Sequence, residues 1–345
     1  MGDDNDDDDD EKDDHHQPAA PPPPLPLQYA SSCVIPTTWT PYTITSITPH
    51  NHDTSIFTFA LPNSEQTLGL PVCGCILLLA PDCEHGGGDA IRPYTPTSPP
   101  WMKGQFQLLI KRYAAWGEPR FIASYRPAGA VSNYLHGLRP GDEVRMKHVA
   151  VNVKLPYVNP ESGVAGFEGV DTVTMIAVGV GLAPMVQALH AMLANPDDTT
   201  RIIFLYGSRS VKDVLMRQTL DEWAEQHPDR FKVVYYVGSR WRVEDIIMHY
   251  SDCPKNCGKP CSRRKVPPPE GFDTLAEGRD GCKHIGWVDM DAVRKHAFPP
   301  APRTRVFVCG LPGVYDNLCG PRNTPLKEGT TLHRLGYTDE MVIKF

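Results

Sequence analysis

Hydrophobic and polar positions are patterned in two styles along this chain. From Trp39 to about Pro156 short apolar runs dominate: Thr43–Thr48, Ser55–Phe59, Cys75–Leu79 and Phe106–Lys111. They are rich in Thr and β-branched residues, which suit strands. Pro and Gly punctuate them about every ten residues, a spacing that predicts a small antiparallel β-barrel. Leu138-Arg139-Pro140-Gly141-Asp142 reads as a turn into a further strand at Glu143–Lys147.

After about Gly163 strand-like runs alternate with helical ones. Strands are expected at Thr172–Val178, Arg201–Tyr206, Phe231–Val237 and Arg305–Cys309. Helices are expected at Ala183–Ala194, Val211–His227, Asp289–His296 and from Gly313. That alternation predicts a parallel, doubly wound α/β sheet. The apolar run Val173–Leu193 reaches the length of a membrane span, about 20 residues. Gly179, Gly181, Pro184, Gln187 and His190 break it into a strand, a glycine turn and a helix. No membrane span is expected.

The pattern divides the 345 residues into a tail at 1–38, a β-barrel at 39–160 and an α/β domain at 171–345. A cysteine-bearing insertion occupies about 241–283. Charge sharpens the picture at the N-terminus. The first 16 residues hold ten acids and one base, so they supply −9 to a net charge of −7, and the rest of the chain carries +2. An acidic block of this kind is expected to be solvated and disordered. The Pro18–Pro26 stretch that follows reads as a stiff polyproline spacer. With no strong basic excess, the charge balance argues against nucleic acid as the main partner. The N-terminus has neither a secretory signal nor the Arg-rich composition of a mitochondrial presequence. Asn5 and Asp6 stand where a myristoylated chain needs Ser or Thr.

Five segments carry candidate chemistry. Gly179-Val180-Gly181-Leu182-Ala183-Pro184 follows a strand and opens a helix, where side-chain-free backbone amides can approach a pyrophosphate. Arg92-Pro93-Tyr94-Thr95-Pro96-Thr97-Ser98 offers a guanidinium fork suited to a diphosphate, in what otherwise reads as a Pro-rich loop. Gly129-Ala130-Val131-Ser132 reads as a helix start able to bind anionic oxygen, or as an ordinary cap. Cys309-Gly310-Leu311-Pro312-Gly313 sits at a strand end, where open α/β sheets bind ligands. Met341–Phe345 is a terminal apolar strand ending on an aromatic ring.

Taken together and in this order, the five segments resemble the NADH–cytochrome b5 reductase family of the ferredoxin reductase superfamily. That family shows RxYTxxS, GxxS, GxGxxP and CGxP stretches and a terminal aromatic. Lys111, Tyr113 and the Leu138–Asp142 phrase match its flavin domain as well. The resemblance covers about residues 39 to 345 apart from the insertion. It implies an FAD-binding β-barrel followed by a nicotinamide-nucleotide domain. Arg92 and Ser132 would hold the FAD pyrophosphate. Pro93, Tyr94, Thr95, Leu109, Lys111, Tyr113 and the Gly129, Ala130 and Val131 backbone would lie along the flavin. Gly179, Val180, Gly181, Ala183 and Pro184 would bind the nucleotide. Cys309, Gly310 and Pro312 would line the nicotinamide approach, and Phe345 would cover the flavin. Thr95, Cys309 and Phe345 are the residues expected at the reacting atoms. The implied activity passes hydride from NADH to FAD, then single electrons to a cytochrome b5-like haem acceptor. A monomeric, cytoplasmic enzyme is expected.

The chain departs from that pattern in places. Val180 and Ala183 replace two Thr, and Ala130-Val131 replaces Lys-Met. Gly238-Ser239-Arg240 stands where an NADH-selecting Asp is usual, and Ser208-Arg209-Ser210 offers donors for a 2′-phosphate, which keeps NADPH as an alternative reductant. A non-catalytic nucleotide- or partner-binding descendant and a reductase for another acceptor are the competing functions. Cys253, Cys257, Cys261 and Cys282, with His284, are set against a four-thiolate zinc site or a loop of free thiols; no metal is assigned.

Overall fold

The computed structural model describes residues 33–117, 127–149, 153–158, 166–238, 270–276, 279 and 281–345. The acidic tail, the proline spacer, Ser239, Arg240 and the first three cysteines of the insertion lie outside the described residues.

The first half is a six-stranded antiparallel sheet: β1 (Thr40–Pro49), β2 (Thr54–Ala60), β3 (Ile76–Ala80), β4 (Ala90–Tyr94), β5 (Gln105–Lys111) and β6 (Glu143–His148). Their order is β4-β3-β6-β1-β2-β5, so the sheet curls into a half-barrel. The seam is drawn together by Thr97, which follows β4 and donates its N–H to Gln107 O on β5 at 2.9 Å. Helix α1 (Ala130–His136) plugs the barrel with Val131 and Leu135.

Strand periodicity decides what β5 does. Phe106, Leu108 and Ile110 point into the barrel beside Phe57 and Phe59. The alternate position, Leu109, points out and joins the core of the second domain. Lys111, two residues on, shares that outward face. One strand thus serves two cores, and burying Leu109 contributes about 2 kcal/mol to their union.

The second half is a six-stranded parallel sheet: β9 (Thr172–Val178), β10 (Arg201–Ser208), β11 (Phe231–Val237), β12 (Lys283–Ile285), β13 (Thr304–Cys309) and β14 (Val342–Lys344). Its order is β12-β11-β10-β9-β13-β14. Val173, Met175 and Ala177 face α2 (Leu182–Ala194) and α3 (Arg217–Gln226), while Ile176 faces the other side. There it meets α4 (Met290–His296), α5 (Pro312–Leu318) and α6 (Thr331–Arg334). The sheet is therefore doubly wound, as the alternation predicted. Between the halves, β7 (Tyr157–Val158) and β8 (Gly166–Phe167) form a small hairpin whose Phe167 packs into the nucleotide-domain core.

Two local expectations are corrected. Arg92–Tyr94, readable as loop, belongs to β4; Pro93 is tolerated because β4 lies at the sheet edge. The continuous helix expected at Val211–His227 is broken. A 3-10 turn at Val211–Asp213 precedes Met216, whose φ of 50° stops one element before α3 starts.

Candidate functional site

Residues from both domains converge along the carboxyl edge of the parallel sheet. The glycine turn is built first. Gly179 has φ +57°, a conformation that favours glycine, and its carbonyl accepts from the Tyr206 hydroxyl at 3.1 Å. Gly181 serves a different need. A Cβ there would lie 2.4 Å from the Cys309 carbonyl oxygen and 3.0 Å from the Gly310 nitrogen. The nucleotide loop and the Cys309–Gly310 segment, 128 positions apart in sequence, are thus in backbone contact. Helix α2 then starts with no side-chain cap, because Val180 and Ala183 supply no hydroxyl. The Leu182 N–H is already taken by the Gly179 and Val180 carbonyls. Pro184 sits in that first turn, where a missing N–H costs nothing.

At the other side of the same edge, Phe345 donates its N–H to Val308 O at 3.0 Å, and its ring meets Phe307 edge-on at 5.3 Å. The Tyr315 hydroxyl bonds the Phe345 carbonyl. Lys344, just before it, is buried and donates Nζ to the carbonyls of Cys319, Pro321, Thr324 and Pro325 at 2.8–3.1 Å. Burial pushes the Cys309 thiol up, outweighing the lowering hydrogen bond with Tyr315, so it stays protonated at neutral pH. Pro312 opens α5 as an exposed first residue.

The flavin-side residues gather around α1. Gly129 donates its N–H to Tyr113 O at 2.9 Å, and Asn133 Nδ2 donates to the same carbonyl at 2.8 Å. A Cβ on Gly129 would come within 2.5 Å of Ser132 Oγ and 3.1 Å of the Tyr113 Cβ. Ser132 itself is buried and donates to Gly129 O at 3.2 Å, so its hydroxyl must rotate to meet a phosphate. Ala130 is half-buried beside it. Burial pushes the Tyr94 phenol well up and, with the Asp53 carboxylate, pushes Tyr113 up to about 12. Both are neutral hydrogen-bond donors at physiological pH. Thr95 lies half-exposed just after β4.

Arg92 projects from the β4 edge, half-exposed. Its Nη1 donates to Glu84 Oε2 at 2.9 Å and to Ile91 O at 2.8 Å, and its Nη2 donates to Glu84 Oε1 at 3.2 Å. Three of five guanidinium N–H groups are spent, leaving Nε–H and one Nη2–H for an anion. The remaining donors fit a pyrophosphate, but the Glu84 carboxylate already holds one edge of the guanidinium.

Lys111 is also more engaged than expected. Its Nζ lies 2.6 Å from Asp53 Oδ2 and 3.1 Å from Asp213 Oδ1, which joins the barrel to the nucleotide domain. Burial tends to raise the Asp213 carboxyl, yet hydrogen bonds from Ser210, Arg209 and Lys111 hold it down at about 2. Of the residues set out for a 2′-phosphate, Ser208 is buried and Ser210 Oγ donates to Asp213 at 2.6 Å, while Arg209 donates Nη2 to the same carboxylate at 3.1 Å and keeps its side chain largely exposed. Further contacts tie the halves: Cys73 Sγ to Pro184 O at 3.1 Å, His190 Nε2 to Thr97 O at 3.2 Å, and Met216 N–H to His50 Nε2 at 2.9 Å.

Sequence reasoning missed Glu84, Asp53, Asp213, Tyr315 and Lys344. Glu84 reaches Arg92 from the hairpin loop before β4, the others act through contacts distant in sequence, and no motif spacing announces any of them.

Comparison with known proteins accords with this geometry. Residues 41–154 match the oxidoreductase FAD-binding domain family, and residues 175–250 match the oxidoreductase NAD-binding domain family. An NADH-cytochrome b5 reductase-like protein of Arabidopsis thaliana is 30% identical over 90% of this chain and 77% of its own length. NADH-cytochrome b5 reductase 2 of Saccharomyces cerevisiae is 28% identical over 89% of this chain and 83% of its own. The cytochrome b5 reductase domain of Ulva prolifera nitrate reductase superimposes with a TM-score of 0.64 at 26% identity, covering 90% of this chain and 98% of that one. A flavin-type half-barrel, a glycine turn seated on a CG peptide and relatives aligned through both halves lead to one assignment: the chain belongs to the NADH–cytochrome b5 reductase family.

Proposed function

We propose that this protein takes hydride from NADH onto FAD and releases the electrons one at a time to a cytochrome b5-like haem protein. The observation that carries the reading is the seating of Gly181 on the Cys309–Gly310 peptide. Beside it, Leu109 of the barrel packs into the same cluster as Cys309 and Phe345. The nucleotide turn lies against the flavin strand, and the terminal aromatic packs on the same core. FAD, when bound, accepts a two-electron hydride and passes single electrons, chemistry no side chain here supplies.

The chain's own residues bind and orient. Arg92 offers its two remaining N–H donors to the pyrophosphate, and Ser132 turns its hydroxyl from Gly129 toward it. Pro93, Tyr94, Thr95, Leu109, Tyr113, Gly129, Ala130 and Val131 flank the flavin, with neutral phenols as donors. Lys111 holds the barrel against Asp213. Gly179, Val180, Gly181, Ala183 and Pro184 seat the nucleotide on the first turn of α2. Cys309, Gly310 and Pro312 border the nicotinamide approach, with the thiol kept protonated and uncharged beside the path. Phe345 shields the flavin from water. We assign residues 39–160 to the flavin domain and 171–345 to the nucleotide domain, with the cysteine-bearing insertion at about 241–283.

Anaerobic NADH addition to the purified yellow protein is expected to bleach its visible absorbance, and added oxidised cytochrome b5 is expected to restore it. A flavin that stays oxidised under NADH refutes the reading and favours the non-catalytic descendant. Cytoplasmic location and a monomeric state belong to the same proposal; cell fractionation and gel filtration test them. Among the described residues no helix is long and apolar enough to cross a membrane.

A further inference from the structure

We propose that His284 and His296 form a two-imidazole binding site for a divalent late transition-metal ion of the copper and nickel class. His284 lies on the edge strand β12, and His296 is the last residue of α4. Their Nε2 atoms are 3.0 Å apart. One aromatic ring of the neighbouring strand fixes both. Tyr236 stacks on His284 at 4.9 Å and 29°, and meets His296 edge-on at 6.2 Å and 77°. The pair is therefore preorganised by packing from three elements: a strand, its edge neighbour and a helix end.

At 3.0 Å one N–H···N hydrogen bond closes the gap, and with both ring protons on Nδ1 the same two lone pairs converge on a position a metal ion fits. Each imidazole offers Nε2 as a ligand once its ring proton sits on Nδ1. An ion about 2.05 Å from each nitrogen would subtend about 94° across the gap. That angle suits the square or octahedral arrangement of Cu2+ and Ni2+ better than the tetrahedron of Zn2+. The Gly281 carbonyl, 3.1 Å from His284 Nε2, adds an oxygen at the same place. Lys283, next to His284, is drawn off to the Asp273 carbonyl at 2.8 Å, while Lys295 and Lys232 are the cations that face the pair. Imidazole donors exclude Mg2+ and Ca2+, which take oxygen ligands.

The site stands apart from the hydride path, so its test does not depend on the function proposed above. Untagged, full-length, flavin-loaded protein is titrated calorimetrically with NiCl2. One ion per chain is expected, with His284→Asn and His296→Asn each weakening binding about tenfold or more. Both variants are expected to keep the thermal midpoint of the parent. No Ni2+ uptake by the parent, or equal uptake by both variants, overturns the proposal; the second result places the ion on the cysteines. Should a variant fail to fold, the Cu2+ electron paramagnetic resonance spectrum of the parent decides. Splitting from two nitrogens is expected, and its absence refutes the site.

Discussion

Replacing Lys344 by Met tests how the terminal aromatic is held in place. The Lys344 side chain is 7% exposed, and its ammonium donates to the carbonyls of Cys319, Pro321, Thr324 and Pro325. Three N–H groups serve four oxygens, so one bond is shared. Hydrogen bonds to a charged group contribute about 1.5–3 kcal/mol each. Against that stands the desolvation of an ammonium, which costs several kcal/mol. Of the four acceptors, Cys319 belongs to a buried residue, while Pro321, Thr324 and Pro325 belong to exposed or half-exposed positions that water reaches on removal. Methionine fills the stem but donates nothing. The net loss is expected to be about 2–3 kcal/mol, which lowers the thermal midpoint by about 4–12 °C for a domain of this size. Differential scanning calorimetry reads the midpoint, and stopped-flow bleaching by NADH reads the position of Phe345. Hydride transfer is expected to slow several-fold with nucleotide KM unchanged. Lys344→Arg is expected to fall nearly as far, because a planar fork does not match carbonyls gathered around a compact ammonium. A methionine variant within about 1 °C of the parent midpoint, with an unaltered bleaching rate, refutes the reasoning.

Three more outcomes follow from the site. Gly181→Ala drives a Cβ into the Cys309 carbonyl, so NADH KM is expected to rise about tenfold or more while FAD stays bound, read by steady-state kinetics and flavin content. Asp213→Asn removes a carboxylate held at about 2, below its unfolded value of about 3.9. A depressed carboxyl stabilises the fold above the unfolded value, and that stability is lost as pH falls through about 2. The variant is expected to be about 2 kcal/mol less stable at pH 7 in urea unfolding, with the gap narrowing below pH 4. Glu84→Gln removes the anion that shares Arg92, so FAD is expected to bind a few-fold tighter by fluorescence titration, whereas Arg92→Ala is expected to weaken it.

The regular elements were readable because each obeys its own period. Thr172–Val178 and Phe231–Val237 occupy the residues their apolar runs predicted, since buried parallel strands read as continuous runs. β4 was harder to read: Pro93 speaks against a strand, and only the edge position in the sheet permits it. Met216 ended a helix that local propensity would continue, because its backbone N–H is claimed by His50 from the barrel. The cofactor motifs were legible as spaced patterns. Their partners were not: Asp53 and Asp213 flank Lys111 across 160 positions of sequence, and Glu84 reaches Arg92 from a hairpin loop.

The β1–β2 turn has a bearing on how such enzymes are recombined. His50, Asn51 and Asp53 lie within four consecutive positions, and they hold the nucleotide domain at Met216 N, Lys212 O and, through Lys111, Asp213. Reacting atoms must come within about 3–3.5 Å for hydride to pass. That short turn therefore acts as the gauge of the interdomain distance. A chimaera that takes its barrel from one relative and its nucleotide half from another must inherit the turn and its receiving segment, residues 209–216, as a matched pair.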